Sequence, residues 1–128
     1  MIIAGIGSRK GVSAVEVIAA IDAALEAHGL TLSAVSAIGI APAKRGETGI
    51  YAAASRLGLQ VLVASASALA QASQRTISLS ALSQAIADTP SASEAAALAV
   101  AGEDARLAGP RLIVGPVTCA IALGGDDR

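Results

Sequence analysis

The 128-residue chain contains no Phe and no Trp, and Tyr51 is its single aromatic residue. Stacking platforms of the kind that hold single-stranded nucleic acid are therefore missing. Charge is sparse as well. Nine basic and ten acidic residues leave a net charge of −1, which argues against general binding to nucleic acid or to acidic membranes. With one cysteine, Cys119, there is no internal disulfide and no thiolate metal cluster. With one histidine, His28, the usual multi-histidine metal sites are ruled out, and no metal or cofactor is expected. A long apolar run is absent too: residues 57–74 lack charge, but Gln60, Ser65, Ser67, Gln71, Ser73 and Gln74 interrupt them too often for a membrane span. The first apolar run precedes its charges, the reverse of a secretory signal. A cytoplasmic protein is expected.

What is present is alanine, with Leu, Ile and Val as the larger fillers; apolar residues make up 54% of the chain. Small side chains permit close helix–sheet contact but bury less apolar area per residue. The length suits one domain over 1–128 with a single core. Residues 2–6 read as a buried strand. Ser13 and Glu16 form a capping box that opens a helix, with Val15, Ile18, Ile21 and Leu25 at helical spacing and His28-Gly29 as its stop. Residues 35–40 read as a second strand, 48–57 as a helix stopped by Gly58, and 59–63 as a third strand. Residues 65–73 and 80–87 look helical, joined by a polar connection or short strand at Arg75-Thr76-Ile77-Ser78. Ser91 or Ser93 can cap a helix running to Ala101, with Glu94 in its first turn and Gly102 as its stop. Residues 105–108 and 117–123 read as strands, with 111–114 extended between them or continuing the first. Having no room for a helix between them, they should be antiparallel. The expected fold is α/β: a three-layer α/β/α arrangement whose mixed sheet has mostly parallel N-terminal strands and a C-terminal antiparallel hairpin. Residues 124–128 look like a frayed tail.

Two polar clusters carry the chemistry. The stretch Gly5-Ile6-Gly7-Ser8-Arg9-Lys10-Gly11-Val12-Ser13 reads as a strand ending in a glycine-rich turn that opens into a helix, a recurring anion-binding device. The second is Ala43-Lys44-Arg45-Gly46-Glu47-Thr48. If the first two strands are parallel neighbours, both loops share one edge of the sheet, where ligands of open α/β sheets bind. Arg9, Lys10, Lys44 and Arg45, four of the nine cations, would then face one crevice suited to a ligand with several carboxylates or phosphates. The alternative is that they are ordinary solvated loop charges. The G-x-G-x-x-x-G pattern with basic residues after the second strand could also hold an NADPH-type dinucleotide, although its spacing differs from the usual fingerprint. No G-K-[ST] follows the glycines, which excludes a phosphate-loop NTPase. Glu47 is a candidate general base or a partner for Lys44 or Arg45. His28, at the far end of the first helix, reads as a helix-terminal surface residue, and Cys119 as a small core residue.

These segments together resemble the CobE family and the homologous C-terminal domain of CbiG, both from cobalamin (vitamin B12) biosynthesis. The opening stretch is similar to G-I-G-C-R-[RK]-G-x-[ST]. Lys44, Glu47, Gly49 and Ile50 resemble K-x-x-E-x-G-[LI]. Thr76-Ile77-Ser78 resembles T-x-S, the run from Ser93 to Leu98 is similar to S-V-x-E-A-A-A-L, and Thr118-Cys119-Ala120-Ile121-Ala122 resembles the end of A-T-C-A-I-A. Two departures stand out: Ser8 replaces a common cysteine, which argues that no thiol chemistry is required there, and 79–92 falls short of the usual pattern. The resemblance implies a role in corrin-ring construction, either binding and delivery of a labile intermediate or a hydrolase step of the cobalt-precorrin-5A type with Glu47 as base. In full-length CbiG the family's reaction opens a lactone and releases acetaldehyde. The implied ligand is a precorrin-like tetrapyrrole with acetate and propionate arms, contacted by Gly7, Ser8, Arg9, Lys10, Lys44, Thr76, Ser78 and Thr118. Other corrin-pathway enzymes are implied partners, and a homodimer is a possible assembly.

Overall fold

The computed structural model of the chain describes residues 1–79, 92–102 and 104–124. In chain order the elements are β1 (Ile2–Ser8), α1 (Ala14–Ala27), β2 (Ala37–Ile40), α2 (Thr48–Leu57), β3 (Gln60–Val63), α3 (Ala66–Leu79), α4 (Ala92–Ala101), β4 (Arg106–Leu107), β5 (Leu112–Val114) and β6 (Val117–Leu123). The six strands form one sheet in the order β3-β2-β1-β6-β4, with β5 also paired to β6. β1, β2 and β3 run parallel, and β6 is antiparallel to β1, β4 and β5. This is the expected mixed sheet. β4 and β5 share one edge of β6: Leu107 faces Ala122, and Leu112 faces Cys119.

Helices cover both faces. α1 and α2 pack on one side, while α4, backed by α3, packs on the other. Strand alternation divides the core accordingly. Ile2, Ala4 and Ile6 of β1 join Val117, Cys119 and Ile121 of β6 beneath α1. Ile3 joins Ala120 and Ala122 beneath α4.

The capping box predicted for α1 forms: the Ser13 hydroxyl accepts from the Glu16 N–H at 3.2 Å, and Glu16 Oε1 accepts from the Ser13 N–H at 2.9 Å. α2 occupies the predicted residues and ends at Gly58 in the left-handed region (φ 73°). The β5–β6 turn is two residues long. Gly115 supplies a positive φ of 59°, and the Pro116 ring holds the next φ negative.

Three local expectations are corrected. Val15 is 66% exposed, because α1 buries Ala14, Val17, Ala20, Ile21, Ala24 and Leu25. Its alanines set the phase of the buried stripe, which weighting the larger residues displaced. Arg75-Thr76-Ile77-Ser78 is neither connection nor strand, since α3 continues through it to Leu79. No Gly or Pro interrupts 66–79, and β-branched residues weaken a helix by only tenths of a kcal/mol each. Gly124 is not loose: its N–H donates to the Met1 carbonyl at 2.6 Å. The predicted helix at 80–87, the alternative cap Ser91 and the rest of the tail lie outside the described residues.

α4 approaches the sheet closely. It is mostly alanine, and residues 93–98 are buried. A Cβ at Gly5 would collide with the Ser93 carbonyl and the Ala97 side chain. At Gly39 it would meet Ile3 Cγ2 and Val100 Cγ2 at 3.0 Å and the Ala96 carbonyl at 3.1 Å. Gly5→Ala is therefore expected to destabilise the protein by about 3 kcal/mol or more, because backbone must move, and Gly39→Ala by about 1 kcal/mol. Urea denaturation of the two variants checks this. Equal costs would mean that the approach at Gly5 is not limiting.

Candidate functional site

Because β1 and β2 are parallel neighbours, Ser8-Arg9-Lys10 and Lys44-Arg45 emerge at the same edge of the sheet. One direct contact ties the two loops together. Glu47 Oε1 accepts a hydrogen bond from the Gly11 N–H at 2.8 Å. Next to it, a Cβ at Gly49 would collide with the Val12 carbonyl, so only glycine lets α2 start this close to the first loop. Glu47 is thus a brace between the loops. Its Oε1 is already engaged by a backbone donor.

The first cluster differs from the glycine turn expected. β1 continues through Ser8, so Gly5 and Gly7 are strand residues; Gly7 faces Thr118 across the ladder. Of the three glycines only Gly11 takes a positive φ, 78°, in open space. The backbone donors of the turn are also largely used within the chain, by Glu47 at Gly11 and by the capping box at Ser13 and Glu16. An anion here would be held by side-chain cations rather than by a cradle of N–H groups. Gly5 and Gly7, the first two glycines of the G-x-G-x-x-x-G pattern, lie within β1 rather than in a turn.

A cleft of about 320 Å³ opens beside the end of β1, lined by Gly7, Ser8, Arg9, Ile113, Gly115, Pro116 and Thr118. The Arg9 N–H donates to the Pro116 carbonyl at 3.1 Å, and the Thr118 hydroxyl donates to the Gly7 carbonyl at 3.3 Å. These bonds hold the β5–β6 turn against β1. The cleft gathers Gly7, Ser8, Arg9 and Thr118 from the residues proposed on sequence. Lys10, Lys44 and Arg45 stand on the same edge outside its lining, and Thr76 and Ser78 fall in the last turns of α3.

Ile113, Gly115 and Pro116 escaped the sequence reading. Their segment read simply as strand and turn, and only the antiparallel return of β6 brings it to β1. Arg111 was also missed; its Nη1 lies 3.4 Å from Oε1 of the largely buried Glu94, joining the start of β5 to the first turn of α4. At this exposure such a pair contributes at most about 1 kcal/mol.

The remaining reactive side chains stand away from this chemistry. Cys119 is fully buried, and burial pushes its thiol up to about 12. His28 caps α1 as predicted, but it is not a free surface residue. It lies seven positions after Ile21 on the buried stripe and packs under Gly109, where a Cβ would come within 2.5 Å of its Cε1. Its Nε2 and the Ser8 hydroxyl are shielded from water and have no hydrogen-bond partner among the described residues.

Comparison with known proteins shows the family and the fold. Residues 2–122 match the family model described as cobalamin synthesis G C-terminus. The chain belongs to this family. Among solved structures it is similar to cobalamin biosynthesis protein chiG from Agrobacterium tumefaciens, with 43% identity and a TM-score of 0.80 over 98% of this chain and 100% of that one. It is also similar to CobE, a protein from the cobalamin (vitamin B12) biosynthetic pathway, with 32% identity and a TM-score of 0.80 over 95% of this chain and 89% of that one. A cobalamin biosynthesis protein G homolog from Sulfolobus solfataricus shares the fold at 20% identity and a TM-score of 0.63, over 94% of this chain and 36% of that one. No curated protein sequence matches. The family places the chain in cobalamin biosynthesis. Among the described residues no helix is long and apolar enough to cross a membrane, and no group of three metal-ligating side chains occurs.

Two outcomes follow for the family member described here. Ser8→Cys, the residue at this place in the motif that the opening stretch resembles, is expected to stabilise the fold by about 1 kcal/mol, because an unpaired buried hydroxyl is more costly than a thiol. Thermal unfolding measures it, and a lower Tm would contradict it. For Cys119, the folded state holds the proton more tightly than the unfolded chain does. Its stabilising contribution is complete below pH 9.0 and is lost as pH rises toward 12. A thiol reagent at pH 8 should therefore label the protein only as it unfolds; rapid labelling of the native state would refute the burial argument.

Proposed function

We propose that this chain binds a precorrin-like intermediate of corrin-ring formation by its carboxylate arms, at the sheet edge where β1 and β2 end. One observation carries this reading: Arg9, Lys10, Lys44 and Arg45 project from two loops that the Glu47–Gly11 hydrogen bond locks side by side, next to a cleft. Four of the nine cations of a chain with net charge −1 are thereby concentrated on one edge. Such a local field favours a polyanion and adds charge-assisted hydrogen bonds to carboxylates. Membership in a cobalamin biosynthesis family supplies the matching ligand class, since corrinoid intermediates carry several acetate and propionate arms.

Binding and delivery suit the geometry better than catalysis. No nucleophile–base pair occurs among the described residues at this edge: His28 stands at the far end of α1 and Cys119 lies in the core. Glu47 braces the loops, and its role in this reading is to hold Lys44 and Arg45 in register with Arg9 and Lys10. Cytoplasmic location and hand-over to other corrin-pathway enzymes belong to the same proposal.

Titration with a hydrogenobyrinic-acid-type ligand tests it. Lys44→Ala and Arg9→Ala are each expected to weaken binding several-fold, more strongly at low salt than at high salt. Glu47→Gln, which keeps an oxygen acceptor for Gly11, should bind nearly as well as wild type, whereas Glu47→Ala should not. Equal affinity for wild type and Lys44→Ala would remove that lysine from the site.

A further inference from the structure

We infer that the ligand binds edge-on, with one five-membered ring and its acid arms in the cleft beside β1 and the rest of the macrocycle outside it. The inference rests on the proposed corrinoid binding and adds the orientation. Size is the first reason. At about 320 Å³ the cleft lies at the small end of ligand pockets, which span about 300–1,000 Å³. Liquid water occupies about 30 Å³ per molecule, and bonded atoms pack more tightly, so the cleft takes on the order of ten to twenty heavy atoms. That is the size of one pyrrole-type ring with an acetate and a propionate arm, roughly a quarter of a tetrapyrrole.

The walls give the second reason. Arg9 supplies a cation, while Ile113 and Pro116 offer apolar surface. Ile113 is 66% exposed on an edge strand, so its aliphatic side chain is open to contact from a ligand in the cleft. A ring edge with apolar faces and anionic arms matches both walls at once. A free inorganic anion would use only Arg9.

The placement of the other cations is the third reason. Lys10, Lys44 and Arg45 stand on the same edge of the sheet but outside the lining. They are positioned for arms of the part of the macrocycle that stays outside. The cations therefore divide into Arg9 for the inserted ring and the remaining three for the protruding part.

A monopyrrole bearing one acetate and one propionate tests this beside the hydrogenobyrinic-acid-type macrocycle, using the intact chain. The monopyrrole is expected to compete with the macrocycle at higher concentration. Ile113→Asp, on an exposed side chain, should weaken both ligands about tenfold, and Ile113→Leu should restore them. Lys44→Ala should weaken the macrocycle and leave the monopyrrole unchanged. If wild type binds the macrocycle but the monopyrrole fails to compete and Ile113→Asp binds normally, edge-on insertion is overturned and the proposed function stands. An equal loss for both ligands in Lys44→Ala would also overturn it. If wild type binds no macrocycle, the proposed function falls and this inference falls with it.

Discussion

The close seating of α4 on the sheet is the contact on which the rest of the structure depends. A chain without Phe or Trp cannot fill a wide gap between helix and sheet, so its layers must approach until alanines and glycines touch. Gly5 and Gly39 lie under the helix, and Ala37, Ala120 and Ala122 surround them. Each alanine buries little area, but close approach multiplies dispersion contacts that are individually small. The same seating positions the cleft. α4 passes over Gly5 at Ser93, and the cleft begins two residues further along β1, at Gly7.

The second constraint is the brace between the loops. Glu47 accepts from the Gly11 N–H, and Gly49 allows α2 to abut the Val12 carbonyl. These two contacts give the K-x-x-E-x-G spacing a physical meaning: lysine on the edge, glutamate across to the first loop, glycine at the point of contact. The cations of that edge repel one another, and the hydrogen bond between Glu47 and Gly11 holds their two loops side by side. In the proposed function, preorganisation of this kind reduces the ordering cost of binding a polyanion.

Much of the fold was legible in local patterns. The Ser13–Glu16 capping box, the Gly58 stop and the Gly115-Pro116 turn are chemical signals that act within a few residues, and each forms where it was expected. Phase errors arose where alanine carried the burial, as in α1, because alanine is compatible with either face. His28 caps α1 where expected but is half-buried rather than a free surface residue, for the same reason. The stripe that contains it is marked by Ala14, Ala20 and Ala24 as much as by Ile21.

By itself the sequence determined the order of the described strands and of the helices α1, α2 and α4, the mixed sheet, the two basic loops and, through five ordered motifs, the cobalamin biosynthesis family. Those properties depend on neighbours along the chain or on residue identities alone. Only the tertiary structure decided that Gly5 serves packing rather than anion binding, that Glu47 spans two loops, and that Ile113 and Pro116 stand beside Arg9. Each of these is a contact between residues from 36 to more than 100 positions apart, as in Gly11–Glu47 and Gly7–Thr118. Such contacts follow from sheet order and register, and no local pattern records them.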